Sequence, residues 1–423
     1  MEPVRSGIAQ IGSGSGWIIT SMVNLLKIGL IIIPFYELVI RCFPSAFVIG
    51  TDTRGPKLAL SLMIALAVGL WCLFQGKLKT FQNKGMLAFV AYAFLSMQLA
   101  PNVPLFINDQ DSSMFWMWKQ MVIILIYAFL IISVASIDFR KEDIGKISNI
   151  MAYCGAIMAI YVFIQWAGLD QFFVAKTQQT ITSVENYKLV GVLGQPTVVS
   201  SFLAIILPIA LCSRKTICTI IIAAALFLIN SKVALVSGYC GVLACSIFTR
   251  KSYATTILLL LAVLFVLSAF VFRSDWTDSG RIEQWRHILN YWKTPLSING
   301  AKGMHTIAGF GPGSFEYFYP ISRSSNFFHP HNEYIYILFN FGIAGLGIIL
   351  YSIFIMAKKF FISCLESVHI DNSRFGFMSS FIVALALSGG TFILGLGAHS
   401  FYMAIIVGLL HNNQYLQGGG LDA

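Results

Sequence analysis

The stretch Ile217–Leu228 carries no charged side chain, and its apolar residues do not alternate with polar ones. Similar runs recur from residue 17 to residue 411, and they limit the possible folds more than any other feature. A helix that is apolar on every side has no face to offer water, so it belongs in a bilayer or deep inside a large core. Composition decides between the two. Hydrophobic residues are 57% of the chain and charged residues 11%, where a soluble protein has ~25% charged. A globule of 423 residues built this way would lack the polar side chains to cover its surface. That excludes a cytosolic enzyme, a secreted domain and a disordered chain. Strands of a membrane barrel would alternate in period 2 over ~10 residues, so these continuous runs are read as helices.

A spanning helix needs ~20 mostly apolar residues, and about twelve stretches approach this. They lie near 17–40, 57–76, 86–100, 114–136, 148–167, 189–212, 217–230, 233–249, 253–272, 334–357, 376–395 and 397–411. The expectation is an all-α polytopic integral membrane protein. Its parts are a tail (1–16), nine spans (17–272), a long loop (273–333), three spans (334–411) and a second tail (412–423). The first run is too long for a signal-peptide core and no small-residue cleavage site follows it. The formal net charge of +10 resembles a nucleic-acid signal, but its distribution says otherwise. Half of the 28 basic residues (Arg5, Lys77, Lys79, Lys84, Arg140, Lys141, Lys146, Arg214, Lys215, Arg250, Lys251, Lys358, Lys359 and Arg374) fall on alternate connections. Positive charge stays on the cytoplasmic side, which puts both termini inside and residues 273–333 outside. The charge is then a topology signal and needs no nucleic acid. The eight cysteines lie mostly in or beside apolar runs and are read as small buried hydrophobes rather than a disulfide framework.

Loops beyond ~12–15 residues are uncommon without a function, so the outer loop is where chemistry is sought. Ile282, Trp285, Leu289 and Trp292 recur at helical spacing and predict a short amphipathic helix at the membrane boundary, with Arg281 in its first turn. The turn Gly309-Phe-Gly-Pro-Gly-Ser-Phe315 has three glycines in five residues. No Lys-Ser/Thr pair follows it as in a nucleotide loop, and it is read as a structural turn. The loop closes on His329-Pro-His331-Asn-Glu333. Two histidines do not make a metal site, which needs three or more ligands. An imidazole with an ordinary pKa near ~6.5 suits proton abstraction at neutral pH. Lys188 and Lys232 each open an apolar run on the outer side. With Arg281 and a histidine, they would suit an anionic head such as a diphosphate.

The ordered set of Gly194-Gln-Pro196, Ser231-Lys232, Arg281-x-x-x-Trp285, the glycine-rich turn, His331-Asn-Glu-Tyr334 and Phe341-Gly-Ile-Ala-Gly345 resembles the O-antigen ligase/polymerase superfamily of bacterial membrane glycosyltransferases. That superfamily includes the O-oligosaccharyltransferases. The resemblance covers about 188–346 and is closest to the O-antigen ligases. It implies transfer of a glycan from undecaprenyl diphosphate to a hydroxyl, foremost one on the lipid A–core, at the periplasmic face of the inner membrane. Repeat-unit polymerisation and protein O-glycosylation are the alternatives within the family, and a polysaccharide flippase is the alternative outside it. The resemblance implies His331 as catalytic base and Arg281 as diphosphate clamp. Lys232 and Lys188 stand where the family often has arginines and are read as secondary clamps; Glu333, read as orienting the histidine, and His329 are added to the donor site from the residues themselves. No metal or other cofactor is implied.

Overall fold

The computed structural model describes residues 12–42, 54–74, 84–99, 110–170, 189, 191–193, 195–229, 231–248, 281–293, 297–298, 301–302, 304–315, 330–366, 372–390 and 397–412. These residues are helical apart from turns and a two-residue antiparallel ribbon. In chain order the elements are α1 (Gly12–Cys42), α2 (Arg54–Phe74), α3 (Lys84–Leu99), α4 (Gln110–Ser136) and α5 (Lys141–Trp166). Next come α6 (Pro196–Cys212), α7 (Thr216–Ile229), α8 (Lys232–Phe248) and α9 (Arg281–Lys293). The ribbon β1 (Ser297–Ile298) with β2 (Ala301–Lys302) leads to α10 (Met304–Ala308). The chain then runs through α11 (Glu333–Glu366), α12 (Asn372–Ser388) and α13 (Gly397–His411).

Three segments, Met117–Ser136, Lys141–Trp166 and Glu333–Ser363, are long and apolar enough to cross a membrane. The outward faces are apolar as well. Ile28, Ile31 and Ile32 of α1, Leu66, Leu70 and Leu73 of α2, and Leu350, Tyr351 and Phe354 of α11 all stand exposed. Patches of that kind call for an apolar solvent or a partner. At the centre lies α6, buried on nearly every side, with α5, α7, α8 and α12 packed around it. It starts at Pro196, later than the apolar run that begins at 189, because residues 191–193 form a turn and proline is favoured in the first helical turn.

The polar groups inside this bundle are paired one by one. Pro34 has no N–H and leaves the Leu30 carbonyl without its helical donor. The Tyr402 hydroxyl donates to that carbonyl at 2.6 Å and the Cys154 thiol at 3.6 Å. Lys27, inside the first apolar run, forms an ion pair with Asp143 at 3.3 Å. Ser61 and Tyr127 share a hydrogen bond of 2.9 Å.

The largest interruption is in α11, whose backbone breaks at Gly342 (φ 64, ψ −170). The glycine-rich turn is spliced into this break. Phe310 N donates to the Phe339 carbonyl at 3.0 Å and Gly311 N to that of Asn340 at 2.9 Å. The Asn340 side-chain oxygen accepts from Ser314 Oγ and from Phe315 N. On the far side, the Tyr92 hydroxyl of α3 donates to both Ile307 and Phe341, and Ser96 Oγ donates to Ala308. The turn is therefore structural, with its backbone groups satisfied by the helix it interrupts.

Two expectations need correction. The buried positions of α9 are Gln284, Ile288 and Trp292, whereas Ile282 is exposed. The stripe is rotated because α9 packs on the aromatic cluster of Phe310, Phe315, Tyr336 and Phe339, and a single-helix pattern does not specify that neighbour. The cysteines are not all thiols either. Cys212 at the end of α6 is disulfide-bonded to Cys245 of α8, and Cys240 is exposed. Side-by-side packing of two helices brings the pair together, which spacing along the chain does not reveal. The apolar run at 253–272 lies outside the described residues.

A Cβ on Gly342 would stand 2.2 Å from the Ile307 carbonyl oxygen. Gly342→Ala is expected to cost ~3 kcal/mol or more, since clash and forbidden backbone add. Gly347→Ala, in the same helix with nothing within 4 Å of its Cβ, should be neutral or stabilising by up to ~1 kcal/mol. Thermal unfolding of the two variants in detergent checks the contrast.

Candidate functional site

The site is built on the carbonyl end of α12. A helix leaves its last four C=O groups without internal donors, and they carry the negative pole of the dipole. Here Gly389 N and Gly390 N fold back onto Ala386 and Leu387, at 3.2 and 2.9 Å. Three further carbonyls are met by side chains from elsewhere. The Tyr334 hydroxyl donates to Leu385 at 2.8 Å, Asn332 Nδ2 to Gly389 at 2.9 Å, and Arg281 Nη1 to Gly390 at 2.8 Å. The starts of α9 and α11 thus converge on one turn. The start of α8 abuts it too, since a Cβ on Gly390 would lie 3.0 Å from the Val233 side chain.

Arg281 opens α9 and is partly buried. Burial pulls its pKa below the usual arginine value, yet guanidinium stays charged at any ordinary pH. Its Nε is buried with no acceptor among the described residues. His331 precedes α11 in a left-handed conformation, φ 50. That conformation costs a non-glycine residue ~1–3 kcal/mol and persists only where the surroundings impose it. On one side Trp285 Nε1 donates to the Pro330 carbonyl at 2.6 Å. On the other, Asn332 caps α11 by accepting from Ile335 N at 3.1 Å. Desolvation, and then the positive charge of Arg281, hold the His331 imidazole below the ordinary histidine pKa. The ring is therefore neutral at pH 7 and able to take a proton.

Lys232 is the first residue of α8, beside Val233 at the same turn. Glu333 opens α11 and is buried. It sits at the positive end of that helix. Lys188 and His329 lie outside the described residues. His305 belongs elsewhere, stacked on Phe310 with Nε2 3.0 Å from the Trp292 carbonyl. Sequence reasoning missed Asn332, Tyr334 and the Gly389–Gly390 turn. The glycine pair was the available signal, being the usual end of a helix, but it falls inside the apolar run 376–395.

No family model matches this chain, and no curated protein matches it. The geometry has to carry the chemistry. A fixed cation next to a neutral imidazole can stabilise an anionic leaving group while a proton is taken from an incoming hydroxyl.

Arg281→Gln removes the charge that depresses the His331 pKa. In histidine-labelled protein followed by NMR, the His331 titration should move up toward the ordinary value. An unmoved titration would show that the two side chains do not face one another.

Proposed function

We propose that this chain is a glycosyltransferase of the bacterial inner membrane. It moves a glycan from undecaprenyl diphosphate to a hydroxyl on the lipid A–core at the periplasmic face. The observation that supports this most is the pairing of Arg281 and the His331 turn on adjacent carbonyls, Gly390 and Gly389. In this reading the acceptor oxygen attacks the anomeric carbon as the bond to the diphosphate breaks. His331 takes the hydroxyl proton, and undecaprenyl diphosphate leaves with its charge held by Arg281. Lys232 at the neighbouring helix start adds a second positive charge, with Lys188 and His329 completing the donor site. A diphosphate leaves without acid help where cations are already in place, so a base and a clamp suffice.

The same reading takes about twelve spans with both termini cytoplasmic. The α9 start, the His331 turn and the α12 end then lie together on the periplasmic side. That agrees with a lipid-linked donor whose diphosphate sits at headgroup level.

Transfer by purified protein from a lipid-diphosphate glycan to lipid A–core is the direct test. His331→Ala should lower the rate by ~10²–10⁴. Arg281→Ala should lower it by ~10²–10³. Wild-type rates from either variant, at matched expression, remove that residue from the mechanism. Product in which one lipid-linked glycan has grown at the expense of another, with no transfer to the core, identifies a polymerase instead. For the wild type, kcat/KM should be flat around pH 7 and fall only below pH 6.5, because burial and then Arg281 lower the His331 pKa from the ordinary value. An acid limb at or above that value contradicts the assignment.

A further inference from the structure

The strained turn at His331 needs something to hold it. A left-handed histidine is over-determined only if the chain is fixed both before and after it. Before it, Trp285 Nε1 holds the Pro330 carbonyl. After it, Asn332 makes two hydrogen bonds with opposite sense. Its Oδ1 accepts from Ile335 N, and its Nδ2 donates to Gly389 O. The first bond is an ordinary helix cap, which Ser, Thr or Asp would also provide. The second is not needed for the cap and reaches 57 residues along the chain. Asparagine does both with two separate atoms, an acceptor and a donor, each two bonds from Cβ; a Ser or Thr hydroxyl has one oxygen for both roles and stops a bond short, and Asp has no donor. Gly389 is also the residue before the one whose carbonyl holds Arg281.

We propose that Asn332 is a positioning residue whose amide ties the His331 turn to Gly389, so that one helix end sets the imidazole and the Arg281 guanidinium relative to each other. This rests on the reading of His331 as the base, and it deepens that reading. Tyr334 reinforces the tie one turn further in, through Leu385. The latch acts on His331 and not on Arg281, whose own bond to Gly390 is separate. Its loss should therefore impair proton transfer and leave donor binding in place.

Asn332→Ser and Asn332→Thr keep the cap and remove the tie. In the full-length protein two measurements are made on each. The first is the His331 titration by NMR, assigned with His331→Gln, which needs no activity. The imidazole should titrate nearer the ordinary histidine value once it is free to leave Arg281 for water. The second is steady-state transfer. A misplacement near 1 Å costs up to ~10²-fold, so kcat should fall at least ~10-fold, while KM for the lipid-diphosphate donor stays within about two-fold. A wild-type titration in both variants overturns the latch, and so does a matched loss in kcat and donor binding. Failure of both variants to accumulate assigns Asn332 a purely structural role and overturns it as well. If instead His331→Ala transfers glycan like the wild type, the reading of His331 as the base fails, and the titration still reports on the tie.

Discussion

In apolar surroundings a backbone carbonyl without a donor costs several kcal/mol, and this requirement organises the structure. An unbroken helix meets it internally. Each place where a helix is interrupted needs a donor from elsewhere, and such donors make several of the polar contacts between distant parts of the chain. Pro34 opens the first gap, and Tyr402 and Cys154 fill it. Gly342 opens the second, filled by the glycine-rich turn together with Tyr92, which donates to Phe341, and Ser96, which reaches Asn340. The end of α12 is the third, and Asn332, Tyr334 and Arg281 fill it. Only the third recruits a charged side chain.

That difference explains why the candidate chemistry sits where it does. A guanidinium near the bundle is costly unless it is paired, and a helix C-terminus is a partner that carries no full charge of its own. Arg281 can therefore be held without being neutralised, which a carboxylate partner would not allow. Desolvation, and then the charge that remains on Arg281, hold the neighbouring imidazole below the ordinary histidine pKa. A cation ready for an anion and a base ready for a proton result from the same arrangement.

Much of this was legible in the chain, and the rest was hidden for physical reasons. The apolar runs announced helices, and the loop between 273 and 333 announced Arg281 and His331, because charged and titratable residues are scarce and conspicuous in such a composition. The burial of α9 was read one step around the helix, since Gln284 is buried and Ile282 is not, and periodicity ranks those two the other way. The glycine-rich turn is legible as a turn, and Gly342 as part of a motif, but nothing along the chain shows that one is spliced into a helix break at the other. Asn332 was passed over because a cap and a latch look identical until the second partner, far along the sequence, is known. The bond between Cys212 and Cys245 was hidden in the same way, by helix packing.

The contacts of Tyr92 bear on how the molecule assembles. Its hydroxyl bridges Ile307 and Phe341, which follow it by 215 and 249 residues. Synthesis proceeds from the N-terminus, so α3 is made long before either partner exists. Its hydroxyl must find a provisional acceptor in the meantime, and the segment around α10 completes its packing only once α11 is present. Contacts of such separation form late. The region that frames the candidate site thus closes only after most of the chain has been made, and a molecule lacking α10 and α11 would have its early helices without that site.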